Sequence, residues 1–406
     1  MPPATATPGN PPMSTDGPFD AVRLLDETLA RALTLGASDI HFRVQGDGMA
    51  IELRVDGLLG HVAHLAGKQN AEQLVSRIKV LAQLNIGEQR IPQDGRMQLV
   101  RATGGHTDLR VSVMPAIHGE NVVLRVLERR IGQAQAGAIA NTDTSPMVEL
   151  ESLGLSAEVL TTLRQQARAP HGMLLITGPT GSGKTTTLYA LIAETHRPSD
   201  RTITIEDPVE ISLPGIVQIP VNEKKGLTFA TGLRSILRHD PDRILVGEIR
   251  DHETAEIAIQ AALTGHFVGT TVHANSVFDV ISRFVNMRID LYAFASALNA
   301  VVAQRLVRVF CADCVTPAPA GTVPPRLPNP QGCAQCSNTG YKGRVAFAEV
   351  LTIDDEFRDL ILRRASFVQL KDAARQRGMT TLREMGLMLV EQGHTSQAEI
   401  DRVVLY

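Results

Sequence analysis

The stretch "LLITGPTGSGKTTTLYA", Leu174 to Ala190, decides the fold of this chain. A short apolar run from Met173 to Thr177 meets a glycine, and apolar residues then recur at helical spacing from Thr185 to Glu194. The glycines therefore occupy a strand-to-helix turn. Gly178, Gly181 and Gly183 let the backbone curl until successive N–H groups point inward, and the helix N-terminus adds the positive end of its dipole. Such a turn cradles phosphate oxygens. The run Gly178, Pro179, Thr180, Gly181, Ser182, Gly183, Lys184, Thr185 fits G-x-x-x-x-G-K-[ST], and Thr186 after it is a further candidate for nucleotide binding. Lys184 is placed to reach the outer phosphates and the Thr185 hydroxyl to bind Mg²⁺, so the expected ligand is Mg²⁺-ATP.

Three later segments each couple a strand-like apolar run to acids or histidine. They are "TITIEDPVE" (Thr202 to Glu210), "DPDRILVGEIRD" (Asp240 to Asp251) and "TGHFVGTTVHAN" (Thr264 to Asn275). A carboxylate at a strand tip beside a P-loop can hold Mg²⁺ through water or polarise the attacking water, because phosphoryl transfer mainly needs positioning and charge stabilisation. Glu248 is the first candidate, with Glu206 and Glu210 as the alternatives. Asp207 has a second reading, as a cap on the turn at Pro208. His273 and His266 suit a hydrogen bond to the γ-phosphate, although most isolated histidines are satisfied structural residues.

All four cysteines fall in one segment, Cys311, Cys314, Cys333 and Cys336, spaced C-x2-C-x18-C-x2-C. Paired C-x-x-C turns can set four thiolates around one tetrahedral Zn²⁺, and four cysteine ligands leave no open position for catalysis. Disulfides are the rival, which a cytoplasmic location disfavours.

The chain has 406 residues with 43% hydrophobic content, enough for two to four domains of a soluble globular protein. No window approaches the roughly 20 apolar residues of a membrane span: Leu298 to Phe310 is broken by Gln304, Arg305 and Arg308. The opening "MPPATATPGNPPMSTDGP" lacks the basic start and apolar core of a signal peptide, so a disordered tail and a cytoplasmic protein are expected. A net charge of −3 and 4% aromatics supply neither a phosphate-tracking stripe nor stacking platforms. Specific nucleic-acid binding is not expected.

Before the P-loop, a helical pattern from Pro18 to Leu35 leads into "ASDIHFRVQGDGMAIELRVDGLLGHV", where Ile51, Leu53 and Val55 alternate with Glu52, Arg54 and Asp56. That is a β-hairpin signal with Asp56-Gly57 as its turn. A helix with Leu74, Ile78 and Leu81 on one face follows, then strands near Leu109 to Val113 and Val122 to Leu127, with Arg90 to Leu99 as a loop. Residues Ile131 to Pro146 read as a linker, and the chain after Phe347 as a small helical bundle. There, Met379, Met385 and Met388 are expected to fill the core.

In this order and spacing, the P-loop, the acidic segment, the "VGEIRD" segment, the histidine segment and "CSNTGYKGR" (Cys336 to Arg344) resemble the ATPase family that powers type II secretion and type IV pilus assembly. The resemblance runs from "ASDIHFR" (Ala37 to Arg43) to the end of the chain. It implies an α/β fold: a RecA-like P-loop ATPase domain over 148–304, an N-terminal α+β domain over 20–130, a zinc-binding insert over 305–345 and a C-terminal helical subdomain over 346–406. A tail over 1–19 and a linker over 131–147 complete this plan. Gly247 stands where other P-loop enzymes carry the Walker B aspartate, as is typical of the family, which leaves the exact role of Glu248 open. The resemblance also implies that Arg96 and Arg110 bring positive charge to the phosphates and that His273 belongs to the family's histidine box. It implies a homo-hexamer under the inner membrane that drives pilin-like subunits into a filament through an inner-membrane platform protein. Longer members carry a further N-terminal domain that docks on a membrane adaptor, and no counterpart is read in this sequence. The alternatives are a DNA-uptake or conjugation motor of the same superfamily, and a non-hydrolysing, nucleotide-regulated zinc-ribbon binding module. The cysteine insert favours assembly over retraction motors, and its x18 gap is shorter than expected of type II secretion members.

Overall fold

The computed structural model describes residues 19–100, 106–127, 149–319 and 321–404. The expected linker over 131–147, and the expected tail apart from its last residue, lie outside them. The chain divides into two units: Met1–Arg129 with Phe310–Thr316 and Pro328–Gly343, and Arg130–Val309 with Pro317–Leu327 and Arg344–Tyr406.

In the first unit, α1 (Ala21–Thr34) starts at Asp20, whose Oδ1 accepts from the N–H groups of Val22 and Arg23 at 2.9 and 3.3 Å. Its buried face carries Leu24, Leu25 and Leu29. Strands β1 (Asp39–Gln45), β2 (Gly48–Val55) and β3 (Leu58–Ala66) follow. The β2–β3 turn has Asp56 at φ 48° and Gly57 at φ 84°, the left-handed pair that matches the twist of a hairpin. Helix α2 (Lys68–Leu81) buries Leu74 and Ile78.

The segment expected as a loop over 90–99 is a strand from Gln93 onward: β4 (Gln93–Val100) pairs antiparallel with β5 (His106–Ala116). Asp94-Gly95 reads as a turn in sequence, but Gly95 serves a close approach, since a Cβ there would lie 2.8 Å from the Ala82 carbonyl oxygen. With β6 (Gly119–Leu127) the sheet runs β3-β2-β1-β6-β5-β4. A buried ion pair, Lys79 Nζ to Glu120 Oε1 at 2.6 Å, ties α2 to β6. The same ammonium donates to the Glu88 carbonyl at 2.8 Å, which anchors the chain leading into β4.

The second unit is built on α3 (Ala157–Ala167), β7 (Gly172–Thr177), α4 (Lys184–Thr195), β8 (Thr202–Glu206), β9 (Val217–Pro220), α5 (Phe229–Ile236), β10 (Arg243–Val246), α6 (His252–Leu263), β11 (Phe267–Val272), α7 (Val277–Asn286), α8 (Leu291–Ala297) and β12 (Leu298–Phe310). A two-stranded ribbon of β13 (Thr316–Pro317) and β14 (Arg326–Leu327) precedes β15 (Tyr341–Thr352). The large sheet runs β15-β12-β7-β11-β10-β8-β9, and β12, β7, β11, β10, β8 and β9 pair in parallel. Every residue of β7, β8, β10 and β11 is buried, as expected of parallel strands covered on both faces. Ligands of such sheets sit beyond the carboxyl ends of the strands. The P-loop, Asp207, Glu248 and His273 all leave from those ends.

The helical pattern expected after Phe347 starts later than the sequence suggests. Phe347 to Thr352 belong to β15, where Ala346, Phe347 and Ala348 are buried consecutively. Helices α9 (Asp355–Leu362), α10 (Phe367–Gln376), α11 (Leu382–Glu391) and α12 (Gln397–Val403) complete the chain, capped by Asp354, Ser366, Thr381 and Ser396. Met385 is buried, Met379 packs at the edge of the core, and Met388 is 46% exposed.

Candidate active site

The P-loop leaves β7 at Gly178, whose φ is 149°; a Cβ there would lie 2.5 Å from both the Gln304 carbonyl oxygen and Ser182 Oγ. Gly181 and Gly183 hold φ of 79° and 85°. Strand β12 braces the loop from behind: Gln304 Nε2 donates to the Ser182 carbonyl at 2.8 Å, and its Oε1 accepts from Thr187 Oγ1 at 2.9 Å. Arg305 next to it donates to the carbonyls of Asn275 at 2.7 Å and Val403 at 3.1 Å. That buried guanidinium links the loop after β11 to the end of α12.

Inside the loop, Lys184 Nζ donates to the carbonyls of Gly178 at 2.8 Å and Pro179 at 3.1 Å. Burial, reinforced by Arg305 and opposed by Glu248, pulls its ammonium down to about 8. Ser182 Oγ is buried with no hydrogen-bond partner among the described residues. Helix α4 begins at Gly183 without a side-chain cap, so its first N–H groups face the loop unclaimed by any side chain. An orphaned hydroxyl, a lysine resting on carbonyls and an uncapped helix start form an anion cradle. Thr185 is exposed on the first turn of α4, where its hydroxyl is available to Mg²⁺.

Three strand tips carry the ionisable groups. At the end of β10, Glu248 Oε1 accepts from Arg250, and Glu248 Oε2 lies 3.3 Å from His273 Nε2. Arg250 also donates to Asp207 Oδ2 at 3.3 Å, bridging the acidic segment to Glu248. Gly247 stands in a tight place for the usual aspartate: a Cβ would press within 3.3 Å of Glu206 Cα and the Ile205 carbonyl oxygen, so the tip of β8 would have to give slightly. His273 is held in place through Thr177, whose Oγ1 donates toward the Val272 and Ala274 carbonyls at 3.0 Å and accepts from the Ala274 N–H at 2.8 Å. Burial, then the neighbouring Lys184, lowers the His273 imidazole below its ordinary value, with Glu248 opposing them.

The acidic segment separates its two glutamates. Glu206 is buried and takes three donors, Tyr189 Oη on Oε2, and Thr204 Oγ1 and Gln218 Nε2 on Oε1. Glu210 is exposed, and its N–H donates to Tyr189 Oη at 3.3 Å. His266 stands at the opposite end of β11 from His273, with Nδ1 2.9 Å from the Ala261 carbonyl oxygen. Arg96 and Arg110 belong to the first unit, where they sit directly opposite each other on β4 and β5, both exposed. The same cross-strand row continues through Arg125, Asp39 and Arg54. Asp39 pairs with Arg125 at 2.9 Å and Arg54 at 3.9 Å, while Arg96 and Arg110 have no ion pair among the described residues. Sequence reading missed Tyr189, Arg250, Gln304 and Arg305. The signal for Tyr189 lay in the opening stretch, since a phenol on an otherwise apolar helix needs a partner.

The four cysteine Sγ atoms lie within 4.8 Å of one another. The segment docks on the first unit's hairpin, with the Gly343 N–H donating to Asp56 Oδ2 at 2.9 Å. Burial opposes ionisation of Cys336, but the N–H groups of Cys333 and Gly340, at 3.1 and 3.2 Å from its sulfur, outweigh it and bring the thiol down to about 6. Four converging sulfurs, one supplied with N–H donors, fit tetrahedral Zn²⁺. Purified chain is expected to release zinc when treated with a strong chelator, with hydrogen exchange rising across Phe310–Thr316 and Pro328–Gly343 and staying level in β7 and β11. Unchanged exchange in the cysteine segment would show that the thiols pack without metal.

Among the described residues no helix is long and apolar enough to cross a membrane. The chain is 43% identical to the type II secretion system protein HxcR of Pseudomonas aeruginosa, over 96% of this chain and 79% of that protein. It is 41% identical to the type II secretion system ATPase E of Vibrio cholerae, over 94% of this chain and 75% of the relative. Among solved structures, the pilus retraction motor PilT with bound ADP superposes with a TM-score of 0.61 at 26% identity, covering 94% of this chain and 96% of that one. Residues 15–402 match the family described as Type II/IV secretion system protein. With its P-loop, Glu248 and His273 converging at the ends of parallel strands, the chain belongs to the type II/IV secretion system protein family and is a P-loop ATPase.

Proposed function

We propose that this ATPase is the motor of a type II secretion machine, working as a ring of six at the cytoplasmic face of the inner membrane. In that reading it couples hydrolysis to the addition of pilin-like subunits to a pseudopilus through an inner-membrane platform protein. The observation that carries the proposal is the anion cradle beside Glu248, in a chain with at least 41% identity over most of its length to two type II secretion proteins. Glu248 orients or deprotonates the attacking water, Thr185 holds Mg²⁺, and Lys184 with the α4 N–H groups binds the phosphates. Arg96 and Arg110 supply further positive charge to the nucleotide; two adjacent exposed guanidiniums without a carboxylate between them suit a phosphate, which each can bind bidentately.

Sedimentation of the purified chain with and without saturating Mg²⁺-ATP, alongside phosphate release, tests this. A six-subunit species promoted by ATP, with slow turnover, is the expected result. Turnover by a chain that stays monomeric even with the cytoplasmic part of a platform protein would overturn the ring.

A further inference from the structure

Glu206 is the only one of the three candidate glutamates that is fully enclosed, at 3% exposure, and its partners come from three separate elements. Tyr189 on α4 donates to Oε2, Thr204 on β8 donates to Oε1, and Gln218 on β9 donates to Oε1 at 3.0 Å. Gln218 carries the network into the acidic loop, its Nε2 donating to the Ile211 carbonyl at 3.0 Å and its Oε1 accepting from the Leu213 N–H at 2.7 Å. Tyr189 Oη completes the circuit by accepting from the Glu210 N–H at 3.3 Å. The phenol ring is itself buried on the helix that the P-loop opens.

We propose that Tyr189 and Glu206 are a positioning pair that fixes the acidic loop to the nucleotide-binding helix, and that Glu206 takes no part in proton transfer. A carboxylate whose two oxygens accept three protein donors has little capacity left for a water and is shielded from solvent. Asp207 and Glu210 flank it on the exposed side of the same loop. Asp207 in turn meets Arg250, which holds Glu248. Tyr189 thus begins a chain of contacts, from the P-loop helix through the acidic loop to the strand tip of β10, that sets the distance between phosphate and carboxylates. A small displacement there costs rate rather than binding, because the reacting geometry is far less tolerant than the phosphate cradle.

The test uses full-length chain with Mg²⁺-ATP and the variants Tyr189→Phe and Glu206→Gln. Tyr189→Phe keeps the buried ring and removes the hydroxyl. It is expected to lower kcat by roughly 10- to 100-fold while leaving KM and ADP affinity within about twofold. Hydrogen exchange at Glu210 and across 207–218 is expected to rise without a matching rise in β7 or β11. This second readout follows the loop directly and does not depend on turnover. In a Glu248→Gln background, Tyr189→Phe is expected to cost much less than in the wild type, because the contacts that run from the acidic loop through Arg250 position the carboxylate already removed. Glu206→Gln, which retains a side chain able to bond the rotatable hydroxyls of Tyr189 and Thr204, is expected to keep measurable turnover. The proposal is overturned if Glu206→Gln is as inactive as Glu248→Gln with ADP affinity intact, which would make Glu206 a catalytic base. It is equally overturned if Tyr189→Phe lowers affinity and kcat in parallel with general exposure of the unit, which would make the phenol mere packing.

Discussion

Glu248→Gln is expected to bind Mg²⁺-ATP with near wild-type affinity and to hydrolyse it roughly 10²- to 10⁴-fold more slowly. The substitution keeps volume and one oxygen acceptor for Arg250, so the contact between the tips of β8 and β10 survives. What is lost is the negative charge that faces the phosphate cradle and His273, 3.3 Å from the carboxylate. Gly247 leaves no second acid on this strand tip, and a Cβ there would already crowd Glu206 Cα. No neighbour on β10 can take over. The measurement pairs steady-state phosphate release with binding of a fluorescent ADP analogue. A turnover loss of less than about threefold would move the chemical role to Glu210.

Lys184→Ala is expected to weaken nucleotide binding by roughly 10- to 100-fold, the scale of hydrogen bonds to charged groups. This ammonium rests on the Gly178 and Pro179 carbonyls and is drawn down by burial to about 8. A phosphate arriving beside it favours the charged form, so above pH 8 binding must take up a proton. Affinity of the wild type therefore falls as pH rises past 8, by up to about tenfold per unit. Below 8 the lysine is already charged and contributes no slope. Titration of nucleotide affinity from pH 7 to 9.5 reads both effects: the variant is weaker at neutral pH and loses the alkaline slope. A wild-type affinity flat across that range would show that Lys184 does not engage the phosphates.

The parts of this chain that could be read before its structure are those in which a local pattern carries the whole physical reason. The P-loop is one, because strand, glycines, lysine and helix are contiguous; β7 and α4 appear within a residue or two of their expected ends. The Asp56-Gly57 turn is another, because two positive φ angles in sequence restrict the residue types directly. Reading failed where one residue has two uses. Gly95 after an aspartate signals a turn, yet here it admits the Ala82 carbonyl against a strand. Phe347, Ala348 and Val350 suit either a helix or a buried strand, and only pairing within the large sheet decides. At the site, Glu206 and Glu210 are equivalent as letters, and burial separates them. Gln304 and Arg305 were seen only as breaks in an apolar run, since the groups they brace, Ser182 and Val403, lie 122 and 98 residues away.

The cysteine segment runs from the end of β12 into the start of β15 of the large sheet, yet it clusters with the sheet at the other end of the chain and touches its Asp56 hairpin through Gly343. The two units are therefore interleaved along the chain and do not follow each other as beads on a string. Cleavage near residue 130 would separate the N-terminal sheet from the sulfur-bearing turns grouped with it. A fragment ending there would keep its own six-stranded sheet and apolar core but lack the sulfur-bearing turns that cluster with it, and the complementary fragment would carry those turns away with their hairpin partner missing. Any recombination of N-terminal and ATPase halves between relatives must therefore exchange Phe310–Thr316 and Pro328–Gly343 together with the N-terminal sheet.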